Sequence, residues 1–144
     1  MAVVLRPCRP DEGSALLDLW HHADASPSPT DTPEQIDQLI RDPAASVLVA
    51  VDNDLLVGSI IGGWDGWRGN LYRLAVLPSY RRRGIARALV AAAEERLAAR
   101  GALRVSALVE HDHPWAVGFW DSIYAPDPRM IRYVKKVDST RRPS

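Results

Sequence analysis

The chain has 144 residues, of which 47% are hydrophobic and 25% are charged, and these proportions are typical of one folded domain with its own core. Its 18 lysines and arginines balance 18 aspartates and glutamates, so the net charge gives no general basis for binding nucleic acid or an anionic membrane. The single cysteine excludes an intrachain disulfide, no run is apolar enough to span a membrane, and MAVVLRP lacks a signal peptide's long apolar core; together these features favour a cytoplasmic protein.

The first part of the chain predicts one strand and two helices. A short apolar strand over residues 3–5 stops at Arg6-Pro7, and a helix then begins near Asp11 or Ser14 and closes at His21 and His22. A loop rich in Ser, Pro and Asp follows. The second helix begins near Thr32, with Pro33 at its first position, and ends at Asp42-Pro43.

The middle of the chain predicts three consecutive strands. The runs 46–51 and 55–64 are joined by a hairpin turn, Asp52-Asn53-Asp54, and glycines inside the second run indicate a bulge or a close neighbour. A second turn over residues 65–70 leads into the apolar run 71–76, which ends before Pro78. Consecutive strands with short turns favour an antiparallel meander.

The stretch RRRGIA (residues 81–86) joins this last strand to an alanine-rich helix that continues to Arg100 and ends before Gly101. The first N–H groups of a helix have no intrahelical partner, and with the helix dipole they form a site for a phosphate. Gly84 permits a close approach of the backbone, and the arginines add charged donors. The junction therefore predicts a site for a phosphate or pyrophosphate.

The end of the chain predicts a strand over residues 105–109, a short helix from Pro114 and a last strand over residues 129–137. The full order is then β-α-α-β-β-β-α-β-α-β, an α/β fold with a mixed sheet covered by helices. We expect one domain over residues 1–137 and a flexible polar tail over residues 138–144.

RRRGIA fits the pattern Arg/Gln-x-x-Gly-x-Gly/Ala, and with the preceding LYRLAVLPSY it resembles the acyl-coenzyme A signature of the GNAT family of N-acetyltransferases. The resemblance implies a mixed, mostly antiparallel sheet in which strands four and five are parallel and splayed apart. It also implies acetyl-CoA as cosubstrate, a primary amine as acceptor, and direct transfer of the acetyl group. The residues that it places at the coenzyme are Leu74, Ala75, Val76, Arg81, Arg82, Arg83, Gly84, Ile85, Ala86, Arg87 and Trp120.

The resemblance also implies catalytic roles. The amide of Val76 would stabilise the oxyanion of the tetrahedral intermediate. The family's usual tyrosine acid is replaced by Trp120, whose indole N–H cannot deliver a proton, which leaves Tyr124, one turn later, as the candidate acid. Glu110, within Glu-His-Asp-His after the fifth strand, is the candidate base, and a solvated loop is an equal interpretation of these four residues.

Two clusters are candidates for contact with the acceptor. Trp64, Asp65 and Trp67 combine an aromatic wall with one carboxylate, which suits a cationic amine. His21 lies at the end of the first helix, where the stabilisation of a helix C-terminus explains it equally well. The pattern does not favour a metal site, because the histidines lack typical ligand spacing.

Other functions have weaker support in the sequence. The tryptophan at position 120 leaves a non-catalytic acyl-CoA sensor or binding module as the alternative. Neither glycine-rich nucleotide-binding motif is present, and the neutral net charge argues against nucleic acid. The acceptor is not identified by any motif, and apolar tryptophans in loops favour a homodimer.

Overall fold

The computed structural model describes residues 3–137. The strands are β1 (Val3–Pro7), β2 (Ala45–Asp52), β3 (Leu55–Trp64), β4 (Gly69–Val76) and β5 (Val105–Ala107). The helices are α1 (Gly13–His22), α2 (Pro33–Arg41), α3 (Ile85–Arg100) and α4 (Pro114–Ile123). This order confirms the predicted α/β fold up to the last helix.

The five strands form one sheet in the order β1-β2-β3-β4-β5. The first four are antiparallel neighbours, and β5 pairs with β4 in parallel. A parallel neighbour requires a crossover connection, and α3 supplies it. The sheet is therefore mixed and mostly antiparallel, as the sequence predicts.

Each face of the sheet has its own core. Helices α3 and α4 cover one face, where Leu89, Ala93 and Trp120 belong to a buried cluster. Helices α1 and α2 cover the other face, where Leu16 and Ile36 belong to a second cluster. Alternate side chains of a strand point to opposite faces, so a sheet covered on both sides needs apolar residues at every position.

The helix ends follow local signals. The side chain of Thr32 accepts a hydrogen bond from the Gln35 N–H at 3.2 Å, and Pro33 is the first residue of α2. Gly101 follows α3 with a left-handed φ of 108°, and its N–H donates to the carbonyls at the helix end. Both ends lie where the sequence predicts them.

The predicted last strand is wrong. Residues 130–137 adopt neither strand nor helix, and Met130, Ile131, Tyr133 and Val134 are exposed. An alternating pattern specifies a strand only when a neighbouring strand pairs with it, and these residues have no such neighbour among those described. The predicted tail over residues 138–144 lies outside the described residues. No helix within residues 3–137 is long and apolar enough to cross a membrane.

The close packing of α3 on β3 depends on Gly58. A Cβ atom at this position would lie 3.1 Å from Leu89 Cδ1, 3.2 Å from Ile85 Cγ2 and 3.3 Å from Ala50 Cβ. Interiors packed at this density tolerate added methyl groups poorly.

We expect Gly58→Val to lower the free energy of unfolding by about 1–3 kcal/mol, because its methyl groups would force α3 away from the sheet. Urea denaturation followed by circular dichroism measures this. Gly118→Ala is the matched control, since nothing lies within 4 Å of its Cβ position in α4, and it should raise stability by about 0.4–1 kcal/mol. Equal stability of Gly58→Val and wild type would contradict the packing argument.

Candidate active site

The turn between β4 and α3 exposes backbone donors. Gly84 is the N-cap residue of α3 with a left-handed φ of 81°, and no side chain caps the helix. The first helical hydrogen bond runs from the Ala88 N–H to the Gly84 carbonyl at 3.0 Å, so the N–H groups of residues 85–87 precede the helical ladder. Nothing lies within 4 Å of a Cβ placed on Gly84. The space beside this helix start is therefore open to an anion.

The arginines of this turn do not act as one group. Arg81 points inward: its Nε donates to the Val76 carbonyl at 3.0 Å, and its guanidinium carbon lies 4.5 Å from the centre of the Trp115 ring. Burial lowers the pKa of Arg81 from its ordinary value. Arg83 lies over the Tyr80 ring, whereas Arg82 and Arg87 are exposed. The exposed pair can move toward a bound phosphate without breaking internal contacts.

A cleft opens where β4 and β5 separate. The two strands pair over Gly69–Leu71 and Val105–Ala107, and β4 then continues to Val76 without a further β5 partner in the described chain. The Leu77 N–H donates to the Val57 carbonyl of β3 at 2.9 Å. Because neighbouring residues of a strand direct their backbone groups to opposite sides, the groups of Val76 face the cleft. Its carbonyl does so, since it accepts from Arg81.

A bulge in β4 lies beside this cleft. Ser59 is opposite Ala75 and Ile61 is opposite Tyr72, so two steps along β3 correspond to three along β4. The extra step includes Arg73, which has a left-handed φ of 52°. The Arg73 carbonyl is held by the buried Ser59 hydroxyl at 2.9 Å. The bulge therefore changes the direction of the backbone just where the two strands separate.

Helix α4 supplies an aromatic wall to the cleft. Trp115 stacks on Phe119 with ring centres 6.0 Å apart, and Arg81 covers Trp115. Trp120 is only 7% exposed and lies 4.9 Å from the Tyr124 ring, within the core between α3 and α4. Trp120 is therefore mainly a packing residue, and Trp115 is the tryptophan of α4 that reaches the turn beside Gly84.

The Tyr124 hydroxyl is turned toward α3. It donates a hydrogen bond to Glu94 Oε2 at 2.6 Å. Burial raises the pKa of Tyr124, and the hydrogen bond to Glu94 raises it further. In this arrangement the Tyr124 hydroxyl already donates its proton in a hydrogen bond to Glu94. The geometry therefore gives no support to the predicted role of Tyr124 as an acid.

The loop over residues 23–31, which joins α1 to α2, crosses the cleft. On the β4 side, Arg73 binds the Asp31 carboxylate through two hydrogen bonds of 2.8 and 2.9 Å and donates to the Ser26 carbonyl at 3.0 Å. On the β5 side, Glu110 accepts from the Ser26 hydroxyl at 2.6 Å and from its N–H at 3.2 Å. Loop 23–31 is thus fixed to both separated strands.

Two further contacts connect loop 23–31 to the turn before α3 and to the start of α4. The Ala23 carbonyl lies 3.2 Å from the Arg81 guanidinium and 3.4 Å from His113 Nε2. His113 also caps α4, because its Nδ1 accepts from the Ala116 N–H at 3.3 Å. A neutral imidazole protonated at Nε2 satisfies both contacts. His113 is therefore a structural residue in this arrangement.

The structure places one cluster of predicted acceptor residues, Trp64, Asp65 and Trp67, far from the cleft. Trp64 pairs with Gly69 at the first residue of β4, whereas Val76 is its last. Eight residues at a rise of about 3.3 Å place roughly 23–26 Å between the two ends. Asp65 instead fixes its own turn: its Oδ1 accepts from the Arg68 and Trp67 N–H groups, which lower its pKa. Their position gives no support to a role in binding the acceptor.

His21 lies nearer to the cleft. It is exposed in the last turn of α1, two residues before loop 23–31, and its ring contacts His22 edge to face at 5.3 Å. Within residues 3–137, no group of three or more His, Cys, Asp and Glu side chains is arranged to hold a metal ion.

Several residues of the cleft were not predicted from the sequence, because each pairs with a residue that is distant along the chain. Arg73 and Asp31 are separated by 42 positions, and Ser26 and Glu110 by 84. An arginine inside an apolar strand was the one available signal for Arg73, because a buried cation requires a partner. Nothing local distinguishes Ser26 from the other polar residues of its loop.

Comparison with known proteins identifies the same architecture. The model of the acetyltransferase (GNAT) family matches residues 14–123. An acetyltransferase of Pectobacterium atrosepticum is 34% identical over 119 residues, which are 83% of this chain and 84% of that protein.

Solved structures agree. A ribosomal-protein-alanine N-acetyltransferase from Brucella melitensis biovar Abortus 2308 superposes with a TM-score of 0.72 at 19% identity, over 94% of this chain and all of that one. The aminoglycoside N-acetyltransferase AAC(6′)-Iy, in complex with CoA, gives a TM-score of 0.76 at 16% identity, over 94% and 96% of the two chains.

The hydrogen bond between Tyr124 and Glu94 predicts a dependence of stability on pH. A folded-state pKa above the unfolded value of about 10 means that this contribution is complete below pH 10 and is lost as the pH rises above it. We expect Tyr124→Phe to cost about 1 kcal/mol at neutral pH, and the difference from wild type should shrink in denaturation series above pH 10.

Tyr133→Phe is the control, because this tyrosine is 90% exposed, and it should leave stability unchanged. A Tyr124→Phe protein as stable as wild type at neutral pH would show that the bond to Glu94 contributes nothing.

Proposed function

Since the chain belongs to the GNAT family of acetyltransferases and carries out N-acetyl transfer from acetyl-CoA, we propose which of its residues bind the coenzyme and which bind the amine. The turn over residues 81–87 binds the pyrophosphate. The cleft between β4 and β5 holds the pantetheine arm, and the amine enters beneath loop 23–31. The observation that carries this proposal is the uncapped start of α3 at Gly84, which follows the end of β4, where Val76 has no β5 partner among the described residues.

The residues of the turn fit a pyrophosphate. Three backbone N–H groups, at residues 85–87, are available at the positive end of the α3 dipole. Ile85 and Ala86 bury their side chains in the core, so they contribute to binding through the backbone. Arg82 and Arg87 are exposed close to the same helix start and supply the charge.

The strand fits a pantetheine arm and an acyl carbonyl. Leu74 and Val76 are two residues apart and present backbone groups to the same side of β4. Acetyl-CoA supplies an acyl thioester that is ready for attack by an amine. In the proposed reaction the amine nitrogen attacks the acyl carbon and the new C–N bond forms, while the π electrons of the carbonyl move to its oxygen. The C–S bond then breaks and its electron pair leaves with sulfur. The Val76 N–H donates to the oxygen on which negative charge develops.

Glu110 is proposed to accept the proton of the ammonium group. It follows β5 at the opening of the cleft, and its carboxylate is held by two hydrogen bonds from Ser26. Asp24 and Asp112 are exposed in the neighbouring loops. This arrangement of carboxylates supports the proposal of a cationic acceptor with Glu110 as its base.

The acceptor itself is not selected by the fold. By their names, the Brucella enzyme acetylates the alanine of a ribosomal protein and AAC(6′)-Iy acetylates aminoglycosides. We therefore propose a primary amine of positive charge as the acceptor class. The cytoplasmic location and the homodimer remain predictions.

We expect Gly84→Glu to weaken the affinity for acetyl-CoA by about 100-fold or more, because it places a negative charge where the pyrophosphate would approach the N–H groups. Calorimetric titration measures the affinity, and circular dichroism verifies the fold.

Gly66→Glu is the matched control. Gly66 also has a left-handed φ, of 91°, and nothing lies within 4 Å of its Cβ position, so the two variants carry the same strain and charge at opposite ends of β4. The proposal would be overturned if both variants bound acetyl-CoA as wild type does.

We expect Glu110→Gln to lower kcat/KM by about 100-fold near pH 7, because glutamine still accepts the Ser26 hydrogen bonds but cannot accept a proton. The deficit should narrow as the pH rises toward the pKa of the amine, since the free amine then needs no base. A pH profile on the best substrate of an amine panel measures this.

Ser26→Ala and Asp112→Asn distinguish the positioning of Glu110 from its role as a base. Loss of the Ser26 hydroxyl should raise KM with little change in the pH profile, whereas Asp112→Asn should change neither. A Glu110→Gln deficit that is constant across the pH range would assign Glu110 a purely structural role.

A further inference from the structure

A basic hollow lies at the end of the molecule remote from the coenzyme turn. Its volume is about 440 Å³, and the residues that define it are Trp64, Trp67, Arg68, Arg100, Leu103 and Arg104. Arg100 is the last residue of α3 and Ile85 the first, so the 16 residues of this helix separate the hollow from the turn by about 24 Å. A ligand in the arginine hollow would therefore be separate from the coenzyme.

The three arginines of the hollow differ from the four arginines that form ion pairs in the described part of the chain. Arg6, Arg41, Arg73 and Arg129 are each paired with a carboxylate at 2.7–3.0 Å. Within residues 3–137, no carboxylate forms such a pair with the three guanidinium groups of the hollow. Arg100 and Arg104 lie on either side of the end of α3, and Arg68 joins them because the N–H of the next residue, Gly69, donates to the Arg104 carbonyl at 3.2 Å.

The neighbouring carboxylates are already engaged. Asp65 accepts two backbone hydrogen bonds within its own turn. Asp127, whose pKa is lowered by Arg129 and to a smaller extent by Arg104, is bound by the Arg129 guanidinium at 3.0 Å. Arg100 donates to the Pro43 carbonyl, which fixes its side chain without neutralising its charge. Asp65 and Asp127 thus attract Arg68 and Arg104 without forming an ion pair with them, and these two guanidinium groups keep donors for a ligand.

The hollow also offers a flat apolar surface. Trp67 is 69% exposed and Leu103 fully exposed, and the Arg68 guanidinium lies 3.8 Å from the centre of the Trp67 ring. Exposed apolar residues that are grouped around a concavity mark binding sites. A guanidinium that already stacks on an aromatic ring can bind an anion in its own plane while the exposed ring packs against an aromatic body.

We propose that the arginine hollow binds a small aromatic anion, a carboxylate or phosphate carried on a flat ring. The volume lies within the range of small-molecule pockets, about 300–1,000 Å³. The set of lining residues is far smaller than the roughly 20–30 residues that a protein contributes to a stable interface. A small ligand therefore fits the hollow better than a protein partner.

The test uses the whole chain saturated with CoA, so that anions cannot enter the coenzyme turn. Phenyl phosphate and benzoate are titrated by calorimetry, with inorganic phosphate and phenol as controls that carry only one of the two features. We expect one aromatic anion to bind about tenfold or more tightly than either control. The ratio of the two aromatic anions distinguishes a phosphate ligand from a carboxylate ligand.

Variants locate the binding. Arg68→Gln and Arg104→Gln should each weaken binding of the aromatic anion about tenfold or more, whereas Arg132→Gln, at an exposed arginine outside the hollow, should not. The affinity for CoA should be unchanged in all three variants. The proposal is overturned if neither aromatic anion binds at millimolar concentrations, or if binding survives in the Arg68→Gln and Arg104→Gln proteins.

Discussion

The extra residue in β4 is the constraint on which the cleft depends. The backbone N–H and C=O groups of a strand inside a sheet normally form hydrogen bonds with both neighbouring strands, so none of them is available to a ligand. The bulge at Arg73 interrupts the pairing with β3 just after β4 leaves β5. The left-handed φ of this residue is a strained conformation for an arginine, and the Ser59 hydroxyl and the Asp31 carboxylate stabilise it.

The same residue connects the two halves of the site. Its backbone belongs to β4, which lines the cleft, and its side chain holds loop 23–31. Arg81 makes the corresponding connection from the coenzyme turn, since it reaches both Val76 and Ala23. Arg81 therefore links the turn before α3 directly to loop 23–31.

The sequence predicted those features that local chemistry decides. Gly84 and Gly101 bound α3 because a left-handed backbone favours glycine, and that preference needs no distant partner. The alternation in residues 130–137 was misleading because pairing, unlike a helix cap, requires a second strand. Nearness along the chain likewise did not show that Trp64 and Val76 lie at opposite ends of β4.

The presence of Trp120 in place of the family's usual tyrosine can be explained by comparing the free-energy costs of the two proton transfers, one from the ammonium group and one to the thiolate. A primary amine has a pKa of about 10.4, so providing its neutral form near pH 7 costs about 4–5 kcal/mol. A thiol has a pKa of about 8.5, so its anion lies only about 2 kcal/mol from the neutral form at the same pH. Removal of the ammonium proton is therefore the larger requirement. The proposed base, Glu110, lies at the opening of the cleft and would serve that requirement, and with Trp120 buried in α4 the departing thiolate would take its proton from water.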